Sequence, residues 1–189
     1  MKTLITLTIL LFTLNAFSLT TGSLAPDFTL QNFNLKDHKG KTVVLEWLNH
    51  GCPFVRKHYD SGNMQSLQKK YTTKGIVWAS VISSAPGKQG HVNDKQAKLE
   101  KDKYQSQASH ILLDPTGKVG MLYGAKTTPH IYIINPVGRL VYQGAIDDRP
   151  DTDLKSIKGA RNFVTLALDA TLDGRPIPTP TTKIGRAHV

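Results

Sequence analysis

The sequence predicts an α/β fold with a central mixed sheet flanked by helices. Short apolar runs rich in Val, Ile and Leu recur along the chain, beginning at residues 43–48 and 76–82, and polar segments with helical periodicity separate them. A nearly continuous apolar run is typical of a parallel strand that is covered on both faces. Two later strands, at 131–134 and 140–143, are joined only by a turn, which indicates an antiparallel hairpin.

Composition limits the chain to one ordinary globular domain. The 189 residues are 39% hydrophobic and 20% charged, which suits a single core. The formal net charge is +10, but the lysines are spread along the whole chain and no aromatic-basic motif accompanies them. We therefore expect a solvated basic surface and no nucleic-acid partner.

Residues 1–18 have the pattern of a signal peptide. Lys2 precedes an apolar core at 4–14, and small residues at 16 and 18 offer a cleavage site that would begin the mature chain at Leu19. The apolar core is shorter than the roughly 20 residues that span a bilayer. The sequence therefore predicts a periplasmic or secreted protein that does not span a membrane.

The first half of the predicted domain begins with a hairpin-like region at 32–40. The strand at 43–48 follows, and then a helix at 53–71 that breaks near 61–63. The next strand, at 76–82, leads through a loop to a polar helix that Asn93 caps.

In the second half, a strand at 111–113 ends in an Asp-Pro-Thr-Gly turn, and the hairpin strands are joined by Asn-Pro-Val-Gly. A helix at 163–172 closes the domain. The predicted domain thus covers residues 19–175, and an extended proline- and threonine-rich tail covers 176–189. Residues 184–189 match what an adaptor-like DNA sequence encodes, so we expect them to be a sequencing artefact.

Cys52 lies where the strand at 43–48 meets the predicted helix. Pro53 suits the first helical position because it has no N–H group to leave unpaired. Free backbone N–H groups and the helix dipole stabilise a thiolate at this position, and the thiolate is the nucleophilic form. Cys52 is the only cysteine, so a disulfide within one molecule is excluded. We expect a nucleophile here, with a buried core cysteine as the alternative.

Three motifs carry a family resemblance. They are Ala25-Pro26-Asp27-Phe28-Thr29-Leu30, Gly40-Lys41-Thr42-Val43-Val44-Leu45 and Cys52-Pro53-Phe54-Val55-Arg56-Lys57-His58-Tyr59. With them, the chain from Gly22 to about Thr182 resembles the redoxin branch of the thioredoxin fold, which includes alkyl hydroperoxide reductase and thiol-specific antioxidant. The third motif is similar to a secreted, thioredoxin-like subgroup. The resemblance implies a thioredoxin-like fold and a peroxiredoxin-like antioxidant activity.

The resemblance also implies which residues act. It makes Cys52 the attacking cysteine. A thioredoxin would carry its second cysteine at Val55, so here an outside thiol, or a cysteine lost from the tail, must resolve the reaction. Peroxiredoxins carry a threonine at the position of Asn49, and its absence argues against efficient peroxidase activity unless the Asn49 amide replaces it. Pro129, after Thr128, matches the cis-proline that this fold keeps beside the cysteine.

Polar side chains close to Cys52 in sequence have alternative roles. Glu46 has the spacing of the buried acid of thioredoxins; it either has a raised pKa and relays protons, or faces a polar loop or a lysine. Arg56 either favours the thiolate or is simply an exposed basic residue. We assign His50 and Pro53, with Thr128, to substrate binding.

No metal and no bound cofactor are predicted. His50 and His58 with Cys52 form a candidate site for a soft metal such as copper, but the paired cysteines expected of such a site are missing.

Two functions therefore compete. In the first, the protein is an exported thiol oxidoreductase in which Cys52 attacks a peroxide or a disulfide and an external thiol reduces the product. In the second, it is a non-catalytic binding module or a chaperone for thiols or metals. The missing threonine and second cysteine favour the second; the position of Cys52 beside Pro129 favours the first. Because peroxiredoxin relatives often dimerise, the resemblance also allows a homodimer.

Overall fold

The computed structural model describes residues 19–184. The predicted signal peptide at 1–18 and the end of the tail at 185–189 lie outside the described residues. The strands are β1 Thr29–Leu30, β2 Phe33–Asn34, β3 Val43–Trp47, β4 Val77–Ile82, β5 His110–Leu113, β6 His130–Ile134 and β7 Leu140–Gly144. The helices are α1 Pro53–Asp60, α2 Asn63–Thr72, α3 Asp94–Lys103, α4 Lys118–Tyr123 and α5 Phe163–Leu172, with short 3-10 helices at Leu35–His38 and Leu154–Ile157.

The central sheet has five strands in the order β5-β4-β3-β6-β7. β3 pairs in parallel with β4, and β4 with β5, whereas β6 is antiparallel to both β3 and β7. The predicted mixed sheet and its terminal hairpin are therefore confirmed. β1 and β2 form a separate two-stranded hairpin.

The sheet is covered on both faces, as the continuous apolar runs predict. Every residue of β3, β4 and β6 is buried. One face packs against α1, α2 and α5 around Trp78, Tyr71 and Ile131, and the other forms a second cluster around Trp47 and Tyr132. Because β3 is the central strand, between β4 and β6, the loop that follows it lies at the middle of the sheet, at the carboxyl end of β3.

Local signals explain most helix ends. Gly62, with a φ of 74°, separates α1 from α2 at the predicted break. Asn93 and Gln96 form a reciprocal capping box at the start of α3. The sequence analysis missed α4, which has only six residues between two left-handed glycines, Gly117 and Gly124.

The beginning of the predicted tail packs on the edge of the sheet. The Gln143 N–H donates to the Pro180 carbonyl at 3.0 Å, and the Thr182 N–H donates to the Gln143 carbonyl at 3.1 Å. Thr182 Oγ1 accepts from the Ala145 N–H at 2.9 Å. Gly144 has a φ of 147°, and a Cβ there would lie 2.7 Å from the Thr182 carbonyl oxygen. The chain therefore needs glycine where the tail crosses β7.

Within residues 19–184, no helix is both long and apolar enough to cross a bilayer.

Candidate active site

Cys52 is the N-cap residue of α1, directly after the loop that follows β3. Its backbone is extended, with φ −81° and ψ 125°, and Pro53 occupies the first helical position. The Cys52 carbonyl accepts the Arg56 N–H at 3.0 Å, which begins the helix. The thiol is therefore held at a helix start, as the sequence predicts, although Cys52 is only 7% exposed.

The Cys52 thiol lies against the segment that precedes β6. Its S–H group donates to the Thr128 carbonyl at an Sγ–O distance of 3.2 Å. The Thr128–Pro129 peptide bond is cis, in agreement with the expectation from the resemblance. The fold thus brings together two parts of the predicted site that are 76 residues apart in sequence.

Asn49 shapes the loop between β3 and α1. Its Oδ1 accepts the Gly51 N–H at 2.7 Å, and its Nδ2 donates to the Gln89 carbonyl at 3.2 Å. Gly90, with a φ of 78°, packs so closely on the Asn49 amide that a Cβ would collide with it. Both ends of the amide are thus used in holding the loop. The assignment of Asn49 as a hydrogen-bonding group for peroxide stays a prediction.

Glu46 is a fully buried acid surrounded by hydrogen-bond donors. Its Oε2 accepts from Trp78 Nε1 at 2.8 Å, from Gln68 Nε2 at 3.0 Å and from Ser80 Oγ at 3.2 Å. Its Oε1 accepts from the Tyr59 hydroxyl at 2.8 Å. Burial raises the pKa of Glu46, and these four donors oppose the shift without reversing it. The structure therefore shows Glu46 as a buried acid with a raised pKa, and not as a side chain that faces a polar loop or a lysine.

His50 is buried between two tyrosines instead of facing an open surface. Its ring stacks on Tyr104 at a centroid distance of 3.9 Å and meets the edge of Tyr59 at 4.7 Å. Burial, with a contribution from Lys103, lowers the pKa of His50 to about 4, so its ring is neutral at pH 7. Among the described residues, Nδ1 of His50 has no hydrogen-bond partner.

Arg56 and Pro53 are exposed on the first turn of α1. Arg56 lies one helical turn beyond Cys52, and its side chain is 58% exposed. Its guanidinium pairs with the Asp60 carboxylate at 3.2 Å. The structure shows Arg56 as an exposed basic residue, and its predicted effect on the Cys52 thiolate stays a prediction.

A cavity of about 670 Å³ lies against the first turn of α1 and the cis-proline, and we call it the cis-proline groove. Its lining residues come from α1, the cis-proline, the segment after β7, the start of α5 and the tail. They are Phe54, His58, Pro129, Ala145, Ile146, Asp147, Asp148, Arg149, Pro150, Asp151, Phe163, Thr179, Thr181, Thr182, Lys183 and Ile184. Cys52 itself does not line the groove, but Pro129 and Phe54, its neighbours in space and in sequence, do.

A buried lysine that the sequence analysis missed holds one wall of the groove. Lys57 on α1 is 2% exposed, and its Nζ donates to the Arg149 carbonyl at 2.8 Å. Carboxylate oxygens of Asp151 and Asp147 lie 3.5 and 3.8 Å from the same Nζ. Its partners are some 90 residues away in sequence, so only the tertiary structure reveals that this lysine is internal.

His58 and Asp147 lie next to each other on the groove. His58 Nδ1 is hydrogen-bonded to the Asn63 amide at 2.8 Å, and its Nε2 lies 4.0 Å from Asp147 Oδ2. Burial, with Lys57 as the smaller cause, lowers the pKa of His58 to about 3, and burial raises the pKa of Asp147. Within residues 19–184, no three His, Cys, Asp or Glu side chains are grouped to hold a metal ion.

The Redoxin family model matches residues 20–160 of the chain. An uncharacterized conserved protein from Geobacillus kaustophilus is 27% identical, with a TM-score of 0.71 over 87% of this chain and 88% of that one. A hypothetical protein from Sinorhizobium meliloti 1021 shares the fold at 24% identity, with a TM-score of 0.73 over 89% of this chain and 93% of that one. A Chlorobium tepidum protein proposed to be the thiol:disulfide interchange protein DsbE is 28% identical, with a TM-score of 0.51 over 67% of this chain and 85% of that one. No curated protein matches the chain.

Proposed function

The chain belongs to the Redoxin family, and from this premise we propose that it is an exported thiol oxidoreductase in which Cys52 exchanges with disulfide substrates. Export rests on the signal-peptide pattern at residues 1–18, and the proposed catalytic domain is residues 19–175. The likeness to a thiol:disulfide interchange protein supports the same class of reaction.

One observation carries the choice of a disulfide over a peroxide. Pro129, which follows the residue whose carbonyl accepts the Cys52 thiol, lines a groove of about 670 Å³, within the range of volumes typical of sites for extended organic ligands. A hydroperoxide group needs room for only a few atoms. The Asn49 amide, the expected substitute for the peroxide-binding threonine, already bonds within its own loop. Both features favour a disulfide substrate.

The proposed reaction is thiol–disulfide exchange in two steps. Cys52 loses its proton, and the thiolate attacks one sulfur of the substrate; a bond from Sγ to that sulfur forms, the substrate S–S bond breaks, and the second sulfur leaves as a thiolate. An external thiol then attacks the mixed disulfide and releases Cys52. The chain has no second cysteine for this step.

The surroundings of Cys52 support a role for neighbouring groups in proton movement. The hydrogen bond from the Cys52 thiol to the Thr128 carbonyl must break before the thiolate can attack. The carbonyl is then free to accept an N–H group of a substrate. Glu46 is proposed to relay the proton, because its raised pKa suits proton transfer.

A non-catalytic binding module is the second candidate function. The observation that favours it is the low exposure of Cys52, whose S–H group already has an acceptor. In that case Cys52 would behave as an ordinary, slow thiol.

The test is the rate at which the purified protein reacts with a symmetric aromatic disulfide and, separately, with hydrogen peroxide. Release of the aromatic thiolate measures the first reaction, and loss of titratable thiol measures the second. We expect the aromatic disulfide to react faster with Cys52 than with free cysteine, and Cys52→Ser to abolish the reaction without changing the circular dichroism spectrum. A rate equal to that of free cysteine would reject the enzyme in favour of the binding module. Fast oxidation by peroxide alone would make the protein a peroxidase.

A further inference from the structure

The turn that leads into Cys52 takes one of its hydrogen bonds from a distant loop. Within the turn, the Cys52 N–H donates to the Asn49 carbonyl at 2.9 Å, and the Gly51 N–H donates to Asn49 Oδ1 at 2.7 Å. The Gly51 carbonyl belongs to the peptide group that enters Cys52, and it accepts Gln89 Nε2 at 3.1 Å. The orientation of that peptide group, and with it the direction of the thiol, therefore depends on a side chain 38 residues away from Gly51.

Gln89 bonds to this turn at two points. Besides the bond from its side chain to Gly51, its main-chain carbonyl accepts Asn49 Nδ2 at 3.2 Å. Asn49 begins the turn and Gly51 directly precedes Cys52, so the two bonds attach both parts of the turn to one residue of the loop between β4 and α3. We call this pair of hydrogen bonds the Gln89 bridge.

Two glycines allow the turn and the loop to approach this closely. A Cβ at Gly51 would lie 2.9 Å from Gln89 Cγ, and a Cβ at Gly90 would overlap the Asn49 amide. Gly90 also has a φ of 78°, a conformation that residues with a Cβ rarely adopt. The chain thus has glycine on both sides of the Gln89 bridge, although each glycine costs backbone entropy on folding.

The loop that carries Gln89 is fixed at its base. Its first residue, Ser83, accepts Trp47 Nε1 at 3.0 Å and donates to the buried Asp114 carboxylate at 2.8 Å. Trp47 is the last residue of β3, just before the turn, so the loop is attached to the same strand from which the turn begins. The Gln89 bridge therefore joins the turn to a supported loop and restricts its movement.

A need for stability does not explain the Gln89 bridge. Gln89 and Gly51 are exposed, so water can replace both of these hydrogen bonds at little cost in the free energy of unfolding. Substitutions at exposed positions of this kind usually have small effects on stability. The place of the bridge, at the peptide group directly before Cys52, favours a role in the reactivity of the thiol instead.

We infer that Gln89 is a positioning residue for Cys52: by fixing the Gly51 carbonyl, it holds the thiol at the start of α1, where the N–H groups of the first turn stabilise a thiolate. Gln89 acts through the turn at 49–51. The inference rests on the proposed function in taking Cys52 as the reacting group. Its consequence is that loss of the Gln89 bridge lowers the thiolate share of Cys52, so that the reaction slows at low pH and recovers at high pH.

The test is the pH–rate profile for alkylation of Cys52 by iodoacetamide in Gln89→Met, which keeps the length of the side chain and removes its donor. Iodoacetamide reacts with thiolates in general, so the measurement needs no disulfide substrate. We expect the midpoint of the profile to rise by about one pH unit and the rate at pH 6 to fall about ten-fold, the effect of one hydrogen bond to a charged group. Above the higher midpoint the two rates should converge, because both proteins then hold Cys52 as the thiolate.

Two further variants separate positioning from general damage. Gln107→Met makes the same exchange at an exposed glutamine whose side chain donates to the Gln105 carbonyl, and it should leave the profile unchanged. Gly90→Ala forces the loop away from the Asn49 amide and should move the midpoint in the same direction as Gln89→Met. Urea unfolding of Gln89→Met should match that of the unaltered protein, and Gln89→Met remains the test if Gly90→Ala misfolds.

The outcomes separate this inference from the proposed function. An unchanged midpoint in Gln89→Met would overturn the role of Gln89, even if Cys52 reacts rapidly with the aromatic disulfide. A rate that changes by the same factor at every pH would overturn it too, because the loop would then only cover the thiol or support the domain. A shifted midpoint, together with an aromatic-disulfide rate no faster than that of free cysteine, would support the role of Gln89 and reject the enzyme.

Discussion

Glu46→Gln should alter how the stability of the protein depends on pH. The exchange keeps the size of the side chain and removes its charge. The glutamine oxygen can accept from Trp78, Gln68 and Ser80 as Oε2 does, and its NH₂ group can donate to the Tyr59 hydroxyl. The variant should therefore fold, which isolates the effect of ionisation.

The sign follows from the raised pKa of Glu46. Between the unfolded-state pKa of 4.5 and the higher folded-state value, the folded protein holds a proton that the unfolded chain has lost. The stabilisation that protonated Glu46 provides is complete below pH 4.5 and is lost as pH rises through the folded pKa. The slope of the free energy of unfolding from this one group is at most about 1.4 kcal/mol per pH unit. Glu46→Gln removes that slope, so the variant should gain stability relative to the unaltered protein as pH rises.

Urea unfolding monitored by circular dichroism from pH 4 to pH 8 measures this difference. Trp78 fluorescence gives an independent titration, because the indole N–H donates to Glu46 Oε2 at 2.8 Å. Asp102→Asn, at an exposed carboxylate, is the matched control and should leave the slope unchanged. Parallel stability curves for the unaltered protein and Glu46→Gln would refute the reasoning, since Glu46 would then ionise as easily in the folded protein as in the unfolded chain.

Three further substitutions test separate contacts. Tyr59→Phe removes a hydrogen bond to Glu46, so urea unfolding should show a loss of about 1.5–3 kcal/mol, and the fluorescence titration of Trp78 should move to higher pH. Gly144→Ala forces a Cβ toward Thr182 at a positive φ. We expect thermal unfolding to show a loss of about 1–3 kcal/mol and trypsin to cleave faster after Lys183. Unchanged cleavage would contradict the contact between the tail and β7. Asn93→Ala breaks the capping box of α3, which should cost about 1 kcal/mol while the reaction of Cys52 with aromatic disulfide keeps its rate.

The sequence predicts the parts of the fold that depend on local patterns. The run at 76–82 becomes β4 because six successive buried residues require cover on both faces. The break between α1 and α2 is predicted by Gly62, and the start of α3 by Asn93, because backbone conformation and capping are decided within a few residues. α4 was missed because fewer than two helical turns between two glycines produce no readable period.

In the candidate site, too, local sequence predicts some features, whereas others depend on contacts between distant parts of the chain. The position of Cys52 at a helix start follows from the strand and Pro53 beside it, whereas the contact with Thr128 was expected only from the family resemblance. Lys57 could not be found from sequence, because an isolated lysine in a polar helix predicts an exposed side chain. Its burial depends on Asp147 and the Arg149 carbonyl, which the hairpin and the following segment bring to α1.

A single helix connects the two halves of the proposed mechanism. α1 begins at Cys52; one turn later Lys57 binds the groove wall through the Arg149 carbonyl, and Tyr59 on the other side donates to Glu46. Any displacement of α1 would therefore change the thiol position, the groove width and the hydrogen bonding of the buried acid together. Since all three features depend on one helix, a substitution that displaces Lys57 from the groove wall should also change the reactivity of Cys52. This shared support is the physical reason to expect the position of the groove wall and the reactivity of Cys52 to be coupled.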